Sequence, residues 1–164
     1  MKQTINIIIA SLLIVMAACS GNNHREEVCG LYFGSTPKEV VKSLEEQGCV
    51  VTDKENKFKI YTIKPGAGFK VAGIFWEIIT CKFDAYDGLN EVAFETLRIP
   101  SESDIKTMCR ELTKQYGEEF HLDLFDTDQR ALAWPESPIH VYYEETDYIA
   151  TLTFKVADSR VFEK

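Results

Sequence analysis

The chain has 164 residues, of which 26 are acidic and 18 are basic, so its formal net charge is −8 at pH 7. This balance argues against nucleic-acid binding, which depends on basic side chains that neutralise phosphates. It also argues against adsorption on an anionic lipid surface through the charge of the protein alone.

The first segment, residues 1–18, has the layout of a secretory signal peptide. Lys2 precedes an almost unbroken apolar run over residues 5–16, which is shorter than the roughly 20 residues that a membrane-spanning helix needs. Two alanines then stand directly before Cys19. This ending resembles the lipobox of bacterial lipoproteins. The resemblance implies that the signal peptide is removed and that Cys19 carries a covalent lipid.

The lipid on Cys19 is the predicted membrane anchor, and residues 19–29 form a polar, lipidated tether. The residue after Cys19 is Ser20. An aspartate at this position would resemble an inner-membrane retention signal, so its absence favours the outer membrane. Whether the domain faces the periplasm or the cell surface stays open. The alternative is an uncleaved helix, or a secreted protein in which this cysteine occurs by chance.

The sequence pattern of residues 30–99 predicts a helix followed by four strands. Ser35 or Thr36 can cap the helix, Pro37 suits its first turn, and Gly48 ends it. Strand-like runs follow as CVVTD, KFKIYTIK, VAGIFWEIITCKF and EVAFETLRI. An Asp87-Gly88 pair predicts a hairpin between the last two runs.

Residues 100–164 repeat this order. A helix opens in PSESD and closes at Gly117, and its predicted core face holds Ile105, Met108, Cys109, Leu112 and Tyr116. The strands that follow are EFHLDLFD, RALAW, PIHVYYEE and YIATLTFKV.

The predicted fold class is therefore α+β, with two tandem units over residues 30–99 and 100–164. Each unit is a helix with a four-stranded antiparallel meander, and the helices lie on one face of the sheet. Two units side by side would form a continuous sheet whose other face is open.

Bulky side chains that alternate toward this open face are the predicted partner surface, because aromatic residues are enriched in protein interfaces. The predicted surface comprises Tyr61, Trp76, Trp134, His140 and Tyr142. The alternative places both tryptophans in the core, at the ends of the two helices. The run KVAGIFWEIITCKF is apolar on both faces, so its register is ambiguous.

Four cysteines follow the anchor, namely Cys29, Cys49, Cys81 and Cys109. An even number in an exported chain makes disulfides plausible, but four cysteines allow three pairings, and the sequence does not choose among them. Cys109 lies on the apolar stripe of the second helix, where a free cysteine is an ordinary core residue.

The stretch FGSTPKEVVKSLEEQGC resembles the start of each repeat in the β-lactamase inhibitor protein. It is also similar to the small lipoproteins of the outer-membrane barrel-assembly machinery. The matching residues are Phe33, Gly34, Thr36, Glu39, Val40 and Cys49. The tandem layout and the length resemble the inhibitor as well. The resemblance implies a non-catalytic module that binds another protein of the cell envelope, as an assembly factor or an inhibitor.

The chain departs from the inhibitor at three points. The second unit has PSESD in place of Gly-x-Thr, and no cysteine follows its helix. In the inhibitor, the cysteine after the first helix forms a disulfide with one on the second strand, but KFKIYTIK has no cysteine. By resemblance, Cys81, one strand further on, becomes the candidate disulfide partner of Cys49.

The sequence gives little support for an enzyme. It has three histidines, the usual general bases, and none of the motifs of serine hydrolases, zinc proteases or nucleotide-binding loops. We therefore expect no catalytic residues, no metal and no cofactor other than the lipid. The alternative function is a carrier or enzyme for a small envelope molecule such as a glycan. It predicts a deep pocket with converging carboxylates or His140.

Overall fold

The computed structural model describes residues 27–55, 57–121, 130–135 and 138–157. In these ranges the helices are α1 (Pro37–Glu46) and α2 (Glu102–Tyr116). The strands of the first part are β1 (Glu27–Val28), β2 (Leu31–Tyr32), β3 (Val50–Glu55), β4 (Ile60–Lys64), β5 (Lys70–Val71), β6 (Ile74–Phe75), β7 (Ile78–Phe83) and β8 (Leu89–Thr96). The strands after α2 are β9 (Phe120–His121), β10 (Ala131–Trp134), β11 (Ile139–Glu145) and β12 (Ala150–Val156).

Both helices begin with a capping box, and the predicted helix starts are confirmed. The hydroxyl of Thr36 accepts a hydrogen bond from the Glu39 amide, and the Glu39 carboxylate accepts one from the Thr36 amide in return. Ser101 and Asp104 repeat this arrangement at α2. Such reciprocal bonds satisfy amides that otherwise lack partners in the first helical turn.

The longest predicted strand, VAGIFWEIITCKF, is not one strand. Ala72 and Gly73 have φ angles of 49° and 81°, and this left-handed pair makes a two-residue turn between β5 and β6. The strand β7 begins only at Ile78. The apolar run therefore forms a small hairpin and then a strand of the main sheet, because the backbone reverses at Gly73.

The predicted fold class of two tandem helix-plus-four-strand units is wrong. Strands account for 43% of the structure and helices for 21%, so the fold is mostly β. Eight strands form one antiparallel sheet in the order β3-β4-β7-β8-β12-β11-β10-β9, and β1-β2 and β5-β6 are separate two-stranded sheets. The pairing of β8 with β12 joins the strands on either side into this single sheet.

One hydrophobic core extends across the β8-β12 pairing. Phe94 on β8 and Phe154 on β12 meet with ring centroids 5.9 Å apart, and Phe154 also contacts Tyr116 of α2. The predicted boundary between residues 99 and 100 lies in the connection from β8 to α2, and residues on both sides of it enter the same core. Neither helix of the described residues is long and apolar enough to cross a membrane.

Candidate binding face

The eight-stranded sheet has two unlike faces, which we call the covered face and the open face. The covered face carries the large buried side chains, such as Ile79, Phe94 and Phe154. Both helices and both small hairpins contribute their buried residues to the core on this side. The open face consists of the alternate residues of the same strands, which point the other way because side chains alternate along a strand.

The middle of the open face is a line of mostly small side chains that crosses six strands. We call this line the threonine row. Residues paired across neighbouring strands define it: Thr62, Thr80, Ala93, Thr153, Tyr142 and Ala133. Only Tyr142 among them is large. Ala93 and Ala133 are buried, so Thr62, Thr80, Thr153 and Tyr142, all half-buried, form the accessible part of the row.

A basic line flanks the threonine row on one side. This lysine row comprises Ile60, Lys82, Glu91, Lys155 and His140. The Glu91 carboxylate forms an ion pair with the Lys82 ammonium at 2.5 Å. It also lies 3.9 Å from the Lys155 ammonium. The Glu91 side chain is 14% exposed, whereas those of Lys82 and Lys155 are 46% and 52% exposed. Positive charge therefore dominates the accessible surface of the row.

An acidic line flanks the threonine row on the other side. This glutamate row comprises Ile78, Glu95, Thr151, Glu144 and Ala131. The two charged rows are four residues apart along each strand, which corresponds to about 13 Å at roughly 3.3 Å per residue. The pattern weakens at the edge of the sheet, where Glu55 on β3 lies opposite Ile60. Over the central strands, however, the open face has rows of opposite charge.

His140 and Tyr142 lie on the open face, half-buried, where the sequence placed them. The Tyr142 hydroxyl and His140 Nδ1 are 3.3 Å apart, and the two rings meet edge to face at a centroid distance of 6.2 Å. Their role in binding stays a prediction. The structure brings them together with Lys155, which pairs with His140 across the strands.

The prediction that Trp76 and Trp134 belong to an exposed surface is wrong. Their side chains are 4% and 0% exposed. The indole of Trp76 donates a hydrogen bond of 3.1 Å to the Val71 carbonyl, and that of Trp134 donates one of 3.0 Å to the Thr113 hydroxyl. Because each indole nitrogen has an internal partner, both rings are buried without leaving a polar group unpaired.

The placement of Tyr61 on the open face is also wrong. Tyr61 pairs with Cys81, which is fully buried on the covered face, so its side chain points to that side. Its ring meets Phe83 edge to face at a centroid distance of 5.2 Å. Thr62, the next residue, occupies the open face instead.

The four described cysteines are free thiols in the structure. Cys49 and Cys81 are both buried in the core. Burial, with a smaller contribution from the charge of Cys49, raises the pKa of the Cys81 thiol to about 12. The pairing of Cys49 with Cys81 stays a prediction, and Cys19 lies outside the described residues.

Among the described residues, clefts lie beside α1, α2 and the β5-β6 hairpin, and His140 does not line these clefts. The described part of the chain also has no group of three or more histidine, cysteine or acidic side chains that can hold a metal ion. The His140 form of the pocket that the alternative function predicts is thus not among these clefts. Carboxylates do line some of them, such as Glu77 and Asp104 in one, so the alternative function stays a prediction.

The sequence prediction missed the lysine and threonine rows, although their signal was present. In TLTFK and EVAFE every second residue is polar or small, which marks one strand face. The search for large aromatic side chains gave more weight to Trp76 and Trp134 than to these alternations.

The chain matches no family model, no curated protein and no solved structure. The predicted resemblance of residues 33–49 to the inhibitor and to the barrel-assembly lipoproteins therefore stays a prediction.

Proposed function

We propose that the chain is a lipid-anchored protein of the cell envelope and a non-catalytic binding module, whose open face binds another envelope protein. The resemblance of residues 1–19 to a lipoprotein signal supports the anchor, with the outer membrane as the favoured location. The open face supports the binding role.

The single observation that carries the binding role is the threonine row between two rows of opposite charge. Small side chains allow close contact over a broad surface, and flanking charges give orientation and specificity more than affinity. A partner that fits this face presents acidic groups opposite Lys82 and Lys155 and basic groups opposite Glu95 and Glu144.

Substitution within the threonine row tests the proposal. In Thr153→Arg, a long cation stands in the centre of the face and prevents close contact. We expect partner recovery from cross-linked cell envelopes to fall by about tenfold or more, as for loss of an interface centre. The partner is first identified by mass spectrometry with the wild-type chain and is then quantified for each variant.

Glu45→Arg is the matched control, because it places the same side chain on an exposed position of α1, on the covered side. Its partner recovery should equal that of the wild type. Equal recovery with Thr153→Arg, in a variant whose circular dichroism is unchanged, contradicts binding through the open face.

A further inference from the structure

Exposed aromatic side chains gather at one end of the eight-stranded sheet, which we call the aromatic end and define by Tyr32, Phe58 and Tyr86. Tyr86 is 93% exposed in the turn between β7 and β8, and Phe58 is 58% exposed in the connection from β3 to β4. The Lys59 ammonium links these two connections, because it donates a hydrogen bond of 2.8 Å to the Ala85 carbonyl. Tyr32, at the end of β2, is also exposed. These rings are therefore available to a surface outside the chain.

The described chain begins close to the aromatic end. Glu27 of β1 pairs with Tyr32 of β2. Two residues further on, the Gly34 amide donates a hydrogen bond of 2.8 Å to the Leu89 carbonyl, and Leu89 begins β8 directly after the β7-β8 turn. The chain that leads from the predicted lipid on Cys19 therefore enters the described structure beside this end.

The link between the predicted lipid and the domain is short. Eight chain steps separate Cys19 from Glu27, and a fully extended chain covers at most about 29 Å over that number of steps. A lipid on Cys19 thus holds the domain beside the bilayer. At such a distance the effective concentration of the membrane is high, so contacts that are weak in free solution are favoured.

The charges at the aromatic end balance. Lys57 and Lys59 belong to the connection from β3 to β4, and Asp84 and Asp87 belong to the turn between β7 and β8. Lys59 also forms an ion pair of 2.8 Å with Asp87. With no excess of either sign in the two connections, zwitterionic headgroups suit this end, and the aromatic rings supply the affinity.

We propose that the aromatic end docks on the bilayer that holds the lipid anchor, with the rings of Phe58 and Tyr86 among zwitterionic headgroups. Removal of exposed ring surface from bulk water favours this contact, and tyrosine, with an apolar ring and a polar tip, is enriched at membrane interfaces. The Lys57 ammonium, 5.2 Å from the Phe58 ring centroid, stays at headgroup level.

This inference rests on the lipid anchor proposed above and goes beyond it, because it assigns the end of the domain that faces the membrane. The strands then rise from the bilayer. The open face is turned sideways, toward a partner in or along the same membrane.

Photo-cross-linking tests the docking with the full-length lipoprotein in nanodiscs of phosphatidylcholine. The probe is phosphatidylcholine with a diazirine close to the ester of one acyl chain, so it reacts near the membrane interface. We expect adducts on the peptides that contain Phe58 and Tyr86. Leu97 and Tyr148 are 63% and 79% exposed at the opposite end of the sheet, and their peptides should carry few adducts.

A double variant tests the two rings directly. Phe58→Ser with Tyr86→Ser should reduce the adducts on residues from Glu27 onward by about tenfold, because both predicted membrane contacts are lost. Both side chains are at the surface, so the core stays intact, which circular dichroism checks. Leu97→Ser with Tyr148→Ser is the matched control at the opposite end, and its adducts should equal those of wild type.

Palmitate labelling reports the anchor separately from the docking. Wild type that carries the lipid but gives no adducts, or equal adducts at both ends, overturns the docking and leaves the anchor intact. Equal adducts on wild type and on the Phe58→Ser, Tyr86→Ser variant overturn it as well. Wild type without palmitate removes the anchor, and the docking is then rejected with it.

Discussion

Trp134 of β10 donates its indole hydrogen bond to the hydroxyl of Thr113 on α2, at 3.0 Å. The Trp134 side chain is fully buried, so the bond satisfies a donor that has no access to water. It also links α2 to the covered face of the sheet.

Thr113→Val should therefore destabilise the fold, because it keeps the shape of the side chain and removes the acceptor of a buried N–H group. We expect the free energy of unfolding to fall by about 1–3 kcal/mol. Chemical denaturation with a fixed m-value measures this change. Thr107→Val is the control on the same helix, since the Thr107 hydroxyl bonds to the Ser103 carbonyl of its own helix. A loss no larger than that of the control contradicts the role of the bond.

Tyr143 is expected to make stability depend on alkaline pH. Burial and the hydrogen bond of 2.7 Å to Glu145 raise the pKa of Tyr143 well above its ordinary value of 10. The folded state thus holds the phenol proton, and its contribution to stability is complete below pH 10. Above pH 10 the unfolded state releases that proton first, so this contribution is lost as pH rises.

The comparison of wild type with Tyr143→Phe isolates this effect. The free energy of unfolding of the wild type should decrease between pH 9 and 11 more steeply than that of the variant. Parallel pH profiles would show that Tyr143 titrates alike in the folded and unfolded states.

The anchor has its own test in Cys19→Ser. Because acylation requires the thiol, metabolic labelling with palmitate should disappear and the protein should leave the membrane fraction. Cys109→Ser is the control, since it removes a cysteine of α2 and leaves the signal sequence unchanged. Persistent label on Cys19→Ser would refute the anchor.

The predicted disulfide is tested on protein purified from the cell envelope without reductant. A digest should contain a linked peptide pair with Cys49 and Cys81, while Cys29 and Cys109 react with an alkylating reagent after denaturation. Both thiols are buried in the same hydrophobic core. Alkylation of all four thiols would contradict the pairing.

Local sequence predicted where both helices begin. Thr36 with Glu39, and Ser101 with Asp104, interact across three residues, so the capping signal does not depend on the rest of the fold. The turn at Asp87-Gly88 also depends on contacts within a few residues, since the Asp84 carboxylate accepts hydrogen bonds from the Tyr86 and Gly88 amides.

Local sequence did not predict whether the large aromatic residues are buried or exposed. Trp76 and Trp134 follow strand-like patterns that suit either face, and their burial depends on acceptors at Val71 and Thr113. The Trp134 acceptor is 21 residues away along the chain, so local periodicity does not indicate it.

The sequence by itself determined the signal-like segment with Cys19, the two capped helices and most strand positions, because each rests on contacts or patterns within a few residues. Only the tertiary structure decided that β8 pairs with β12 and that one core receives buried residues from both sides of this pairing. The same long-range pairing aligned Thr80, Ala93 and Thr153 into one row. Such pairing joins residues far apart in sequence, and hydrophobic burial over the whole sheet selects it.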